Sequence, residues 1–327
     1  MPCKKFLAAA LCLAAGIAQA AATKWTITDI LSPWGGQALA INNRGEVGGW
    51  MYAPEPLPMH HAFIWSNGVV QDVGVPSGQY SSDAAGMSNN GYVVGNTGNG
   101  WAMAWHNGDW TVVPIHGAFN DVNESGTAVG GLFFPGYPDN HAASFKDGVA
   151  TDLGTMGGNG WSVAWAVNNS GTIVGNFSLP TPPFSGLYKF RGFVYENGAV
   201  RVIETLGGTS SYAYDINNSG TVVGASDTAS GRLVATVYQN GVLRPLTEIP
   251  GNSAARAVNE RGDVVGSSDN GGWLYSNGVL TMLAQIPEVR AAGYMSISPT
   301  GINDRGWITG NGYKPASGGQ AFVLIPK

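Results

Sequence analysis

Histidine, carboxylate and aromatic side chains are the groups in this chain that could carry chemistry. The histidines are His60, His61, His106, His116 and His141. A zinc or other transition-metal site needs such groups to converge, usually with some of them at short, fixed spacing. No such His, Cys and carboxylate spacing occurs, so no metal is expected. His60, His61 and His141 instead close variable segments just before apolar strands, where a strand-starting role suits them. Asp72, Asp152, Glu204 and Glu248 recur at related positions of later strands. A glycosidase needs two carboxylates across one cleft, and repeat-related positions would spread these four around a molecule. No Gly-x-Ser-x-Gly elbow, phosphate-binding loop or cofactor motif appears. No catalytic residue and no cofactor is assigned.

Aromatic side chains gather in three long irregular segments, residues 50–61, 131–141 and 176–191. Trp50, Tyr52, Phe133, Phe134, Tyr137, Phe184 and Tyr188 stand there among prolines, with His61 at the end of the first segment. Such rings offer flat apolar faces with polar edges, and proline limits the entropy lost on ordering. These eight residues are the candidate ligand-binding set. The alternative is that the rings fold back to plug a channel or cover sheet edges.

Elements able to position them are short strands. Only 11% of residues are charged, while Gly contributes 49 of 327 residues and aromatics 10%. That balance suits many strands and turns. The formal net charge is -5, and the basic residues are few and scattered, which excludes a nucleic-acid surface. At the N-terminus, Lys4 and Lys5 precede an apolar stretch from Phe6 to Ile17 and the small-residue pattern Ala18-Gln19-Ala20. Residues 1–20 read as a signal peptide cleaved after Ala20. A lipid anchor on Cys12 would require a small residue where bulky Leu11 stands. Cleavage removes Cys3 and Cys12, the only cysteines, so the exported chain would depend on its core and not on disulfides. No later apolar run could span a bilayer.

Self-similarity dominates the remainder. A unit of the form Ile-Asn-Asn-x-Gly-x-Val-Val-Gly recurs with its first glycine at Gly45, Gly91, Gly126, Gly171, Gly220, Gly262 and Gly306. A second glycine always follows four residues later, from Gly49 to Gly310. Asn stands three residues before the first glycine in six units, as in Asn42 and Asn168, and Ser88 takes its place in the other. The intervals of 46, 35, 45, 49, 42 and 44 residues are those of propeller blades or similar arrays. Each unit divides into four strands. The Asn-x-x-Gly segment turns the first into a Val-Val strand, and an Asn-Gly or Asp-Gly pair, such as Asn67-Gly68, turns the third into the fourth. Both turns fall on one rim, so the long aromatic segments gather on the other. No segment shows helical period.

The seventh unit ends after a third strand, Ala321-Phe322-Val323-Leu324, while an unassigned strand, Trp25 to Ile30, precedes the first unit. The predicted fold is an all-β, seven-bladed β-propeller over residues 21–327, closed by the N-terminal strand completing the last blade, which leaves no edge open.

The Ile-Asn-Asn-x-Gly-x-Val-Val-Gly units, His61-Ala62-Phe63 and the Gly-rich link from Asp152 to Gly158 resemble the bacterial extracellular HAF repeat family. The resemblance covers essentially the whole exported chain, although the tripeptide varies, as in His141-Ala142-Ala143. It implies an exported bacterial repeat protein and no particular reaction. The expected function is a monomeric binding module, secreted or periplasmic. Its loop-rich face would recognise a glycan, a peptide or an envelope protein, without membrane insertion. Alternatives are an extracellular polymer-degrading hydrolase or lyase, and a structural surface or matrix protein.

Overall fold

The computed structural model describes residues 24–30, 35–53, 59–158, 160–180 and 189–327. The signal-peptide reading of residues 1–20, and Phe184 and Tyr188, lie outside the described residues. Strand β1 (Trp25–Asp29) is followed by a four-stranded antiparallel sheet of β2 (Gly36–Ile41), β3 (Val47–Tyr52), β4 (His60–Ser66) and β5 (Val69–Gly74). Next comes a seven-stranded sheet: β6 (Gly86–Met87), β7 (Val93–Asn96), β8 (Trp101–His106), β9 (Asp109–Val122), β10 (Ala128–Leu132), β11 (His141–Lys146) and β12 (Val149–Gly154). Here β9 serves two units, pairing with β8 through its first half and with β10 through its second.

Three further four-stranded sheets repeat the meander. They are β13 (Ser162–Val167) to β16 (Ala199–Ile203) through β14 (Ile173–Ser178) and β15 (Phe190–Glu196), then β17 (Gly207–Ile216) to β20 (Val242–Pro245) through β18 (Val222–Thr228) and β19 (Leu233–Gln239), and then β21 (Ser253–Val258) to β24 (Val279–Met282) through β22 (Val264–Ser268) and β23 (Gly271–Ser276). The last sheet has β25 (Ser296–Ile302), β26 (Ile308–Lys314) and β27 (Gly318–Pro326), with β1 in the fourth place, Trp25 opposite Pro326 and Asp29 opposite Phe322. The Asp29 carboxylate fastens β1 there, accepting from the Tyr294 hydroxyl at 2.7 Å and from Lys314 Nζ at 2.6 Å.

One connection contradicts the expectation of strands alone. A single 3-10 turn (Leu283–Gln285) and the short helix α1 (Pro287–Ala291) join β24 to β25. Five residues started by a proline are too few to display a helical period, and buried Leu283 and Val289 anchor them on the core.

The hairpin chemistry explains both turn types. Each Asn-Gly or Asp-Gly pair has both residues at positive φ, as in Asn67 (49°) and Gly68 (88°), the geometry that matches strand twist in a two-residue turn. In the Asn-x-x-Gly turns only the glycine is left-handed, at 81° for Gly45. Asn42 contributes hydrogen bonds: its Oδ1 accepts from Arg44 N and Glu46 N, each at 3.0 Å.

Those asparagines also join neighbouring units. The side-chain amide nitrogens of Asn123, Asn168, Asn217, Asn259 and Asn303 donate to the backbone oxygens of Asn168, Asn217, Asn259, Asn303 and Asn42. Asn42 donates likewise to Ser88 O, and Ser88, lacking an amide, does not continue the pattern. The following residue forms a second circuit, in which each backbone N–H donates to the side-chain oxygen of its counterpart. It runs from Asn43 through Asn89, Glu124, Asn169, Asn218, Glu260 and Asp304 and from Asp304 back to Asn43, at 2.7 to 3.1 Å. Successive first strands pack in the same order, and β25 packs against β2. Between the sheets lie apolar clusters such as Val129, Ala164, Phe177 and Phe193. The architecture is an all-β propeller whose first strands face a common axis.

Candidate functional site at the axial mouth

Each first strand except β6 carries one extra residue opposite its Val-Val partner. The extra residues are Leu39, Asn120, Trp165, Tyr214, Arg256 and Thr300. A bulge bends the strand and re-aims that side chain. The second glycine of the repeat permits it: a Cβ on Gly224 would overlap the carbonyl oxygen of Tyr212, and Gly49 and Gly175 face Gln37 O and Val163 O in the same way. The invariant glycine spacing thus builds a ring of bulge side chains toward the axis.

Part of that ring is aromatic. Trp165 meets Tyr214 edge-on at 6.4 Å, and Tyr214 stacks on Tyr212 at 5.9 Å with 6° between planes. Tyr212 lies 5.8 Å from Phe190, which meets Trp161 at 5.5 Å. The run therefore leads from the start of β15 on the loop side to the bulge level. The guanidinium of Arg256 sits 4.8 Å over the Tyr214 ring. Burial raises the Tyr214 phenol above its ordinary pKa against the opposing pull of Arg256.

Beside Trp165 runs a groove of 570 Å3 lined by Asn96, Asn120, Asn140, His116 and Phe133 among others. The amide nitrogens of Asn120 and Asn140 donate to Ala164 O (2.8 Å) and Ser162 O (3.0 Å), and that of Asn96 to Thr97 O (3.3 Å). Their carbonyl oxygens are left as acceptors for the groove. The Trp165 Nε1–H is buried with no hydrogen-bond partner, a costly state that marks the wall as incompletely satisfied.

The proposed loop set is divided by the structure. Exposed Phe133 lines the groove. Phe134 packs against the core cluster of Phe119 and Phe145. Tyr137 is exposed and lies 4.3 Å from the His141 ring. Trp50 meets exposed Tyr52 at 5.3 Å and His60 at 5.2 Å. His61 Nδ1 pairs with Asp72 at 3.0 Å, as His141 Nδ1 does with Asp152, and each Asp also accepts the N–H two residues on, from Gly74 or Gly154. These His–Asp pairs fasten strand starts. Arg191 and Glu204 form a related pair at 3.4 Å. His106 and His116 stack on Tyr92 and Trp101. Among the described residues, no group of three or more His, Cys, Asp or Glu is placed to hold a metal ion.

Trp161, Trp165, Tyr212, Tyr214 and Arg256 were not evident in the sequence, because they stand in or beside first strands and not in long loops, whereas Phe190 falls within the 176–191 segment. Their signal was the size of Trp165, Tyr214 and Arg256 at a position otherwise held by residues as small as Ala85.

At the opposite rim the turns enclose a polar funnel of 170 Å3 lined by Asp121 among others, and Asp215 lies next to its lining residue Ile216. Asp121 accepts from Val167 N (2.9 Å), and Asp215 from Val258 N and Ile216 N (both 2.8 Å). Protein encloses most of both carboxylates. Burial pushes Asp121 up to about 6 and Asp215 up to about 7, the negative charge of Asp121 adding to the second shift.

No protein-family model and no curated protein matches the chain. Solved structures do resemble it. The β-propeller domain of the Trilobed protease from Pyrococcus furiosus superimposes with a TM-score of 0.60 at 10% identity, over 89% of this chain and 97% of that one. A puromycin-hydrolyzing peptidase of Mycobacterium tuberculosis gives 0.58 at 13%, over 90% of this chain and 52% of the peptidase, so the chain spans about half of that enzyme. YCF48 bound to D1 peptide gives 0.53 at 11%, over 92% and 94%. At such identities the likeness shows the β-propeller fold alone.

Proposed function

We propose that this protein is an exported, monomeric binding module, a seven-bladed propeller closed by β1, that holds a glycan at the loop-side axial mouth. The blade count draws support from the seven-membered hydrogen-bond circuit and from β9 serving two adjoining blades. Closure draws support from the pairing of β1 with β27. Export rests on the signal-like residues 1–20 and on the resemblance to HAF repeats. The observation that carries the binding reading is the aromatic run from Trp161 to Trp165 beside a groove of fixed amide oxygens. Sugar rings lay apolar C–H faces on aromatic rings while their hydroxyls donate to such oxygens. The test is calorimetric titration of the mature chain against a polysaccharide panel, beside a folded Phe133→Ala/Tyr212→Ala variant. The parent binds and the variant loses at least tenfold; equal binding by both overturns the assignment of the mouth.

A hydrolase or lyase at the same mouth has one observation in its favour. Asp83 accepts from Asn96 N beside the groove, and burial raises its carboxyl pKa against the lowering by that N–H and by nearby His60. That reading requires product release from a bound polymer, abolished in Asp83→Asn.

A further inference from the structure

We infer that the axial mouth is built for a carboxylated sugar, a uronate, with Arg256 as its anchor. This rests on the binding reading above and adds the chemical class. Of the side chains that the bulges turn toward the axis, Leu39, Asn120, Trp165, Tyr214 and Thr300 are uncharged, and Arg256 is the single cation. It is exposed, and among the described residues no carboxylate forms an ion pair with it. Four other arginines are engaged differently: Arg191, Arg201 and Arg261 each have an acidic partner, and Arg305 lies 4.1 Å over Trp307.

The chemistry at Arg256 fits an anion on a flat apolar ring. Its guanidinium offers a fork of donors that matches a carboxylate. It lies 4.8 Å over the Tyr214 ring and also bonds to the Tyr214 side chain, contacts that position it while leaving further donors of the fork for a ligand. Tyr212 and Tyr214 lie stacked next to it and are only partly buried, apolar surface against which a pyranose ring can pack. A carboxylate bound to Arg256 thus brings its sugar ring onto the tyrosines and its neighbours along the chain toward Trp165 and the amide groove. An acidic peptide could also meet a guanidinium. The groove favours sugar, since its fixed acceptors outnumber its one unpartnered donor, Trp165 Nε1–H, and hydroxyls can meet both kinds.

The experiment titrates the mature chain with oligogalacturonate, oligoalginate and hyaluronan oligosaccharides, each beside its carboxyl-reduced counterpart, which keeps the ring and replaces the carboxylate by a neutral alcohol. At least one acidic oligosaccharide binds, its reduced form binds at least about tenfold more weakly, and Arg256→Gln removes that preference. Arg256→Lys, keeping charge without the fork, falls between. Raised salt weakens the acidic ligand more than the reduced one. Each variant is first shown to melt with the parent. Equal affinity for acidic and reduced forms, unchanged in Arg256→Gln, overturns the uronate inference and leaves a glycan-binding mouth standing. Binding of a glutamate-rich peptide with no oligosaccharide bound overturns the sugar class. Absence of binding to every probe overturns both this inference and the function on which it rests.

Discussion

Replacing Asn168 separates the two roles of the repeated asparagine. Its Oδ1 accepts from Ser170 N at 3.2 Å, Ser170 Oγ at 2.7 Å and Thr172 N at 2.9 Å, while its Nδ2 donates to Asn217 O in the next unit at 3.2 Å. The residue is 5% exposed, so water cannot replace these partners. Asn168→Ala removes four hydrogen bonds at about 1 kcal/mol each and strands the buried Thr172 N–H, for a loss of roughly 4–6 kcal/mol. The chain itself contains a milder version, because Ser88 keeps only an Oγ that accepts from Tyr92 N at 3.2 Å. Asn168→Ser therefore costs less, about 3 kcal/mol, retaining one of the four hydrogen bonds and losing the link to Asn217. Ser88→Asn is the converse: an amide there can donate to Asn123 O and stabilises by about 1 kcal/mol. Urea titration of the mature chain, followed by tryptophan fluorescence with the slope checked for constancy, measures all three. A cost below about 1 kcal/mol for Asn168→Ala would refute the view that these amides join one unit to the next.

Three other outcomes follow from named contacts. Asp121 and Asp215, raised in the folded state to about 6 and about 7 from 3.8, hold protons that the unfolded chain releases. Their contribution favours folding fully below about pH 4 and is lost as pH rises through about 6 and 7; each contributes at most about 1.4 kcal/mol for every pH unit that separates its folded and unfolded values. Unfolding titrations from about pH 4 to 8 should show that fall in wild type relative to Asp121→Asn/Asp215→Asn; a constant difference between the two contradicts it. Gly224→Ala forces a Cβ onto the Tyr212 carbonyl and should unfold more readily by about 3 kcal/mol or more, whereas Gly220→Ala, at φ 77° with open space around it, should cost about 1–2. Asp29→Ala removes the acceptor shared by Tyr294 and Lys314, and hydrogen exchange should speed first across β1 and β27, ahead of the other sheets.

The sequence disclosed the strands because their turn chemistry is local. Asn-Gly pairs and the spaced glycines need only their own φ angles, and the pairing of Trp25–Asp29 with β27 followed from counting strands per unit. The second glycine was legible as a repeat and not as a cause, since its need arises from Tyr212 or Gln37 in a different strand. The residue after each Asn, or after Ser88, carries a side-chain oxygen in all seven units, from Asn43 to Asp304, a pattern whose meaning appears only when neighbouring units stand side by side. The mouth was the least legible part. Trp165, Tyr214 and Arg256 lie far apart in the chain, and only the bulges turn them to one axis. Phe133 and Phe134 show the same limit in reverse, being adjacent in sequence yet facing groove and core respectively.

The most direct test of the account is hydrogen–deuterium exchange of the mature chain with and without a polysaccharide to which it binds. Protection is predicted along the first strands around Trp165, Tyr214 and Arg256 and in the 131–141 segment, with no degradation of the polymer. Protection confined to the Asn-x-x-Gly rim or to the outer strands, or steady conversion of the polymer to products, would contradict a binding module that works through its loop-side axial mouth.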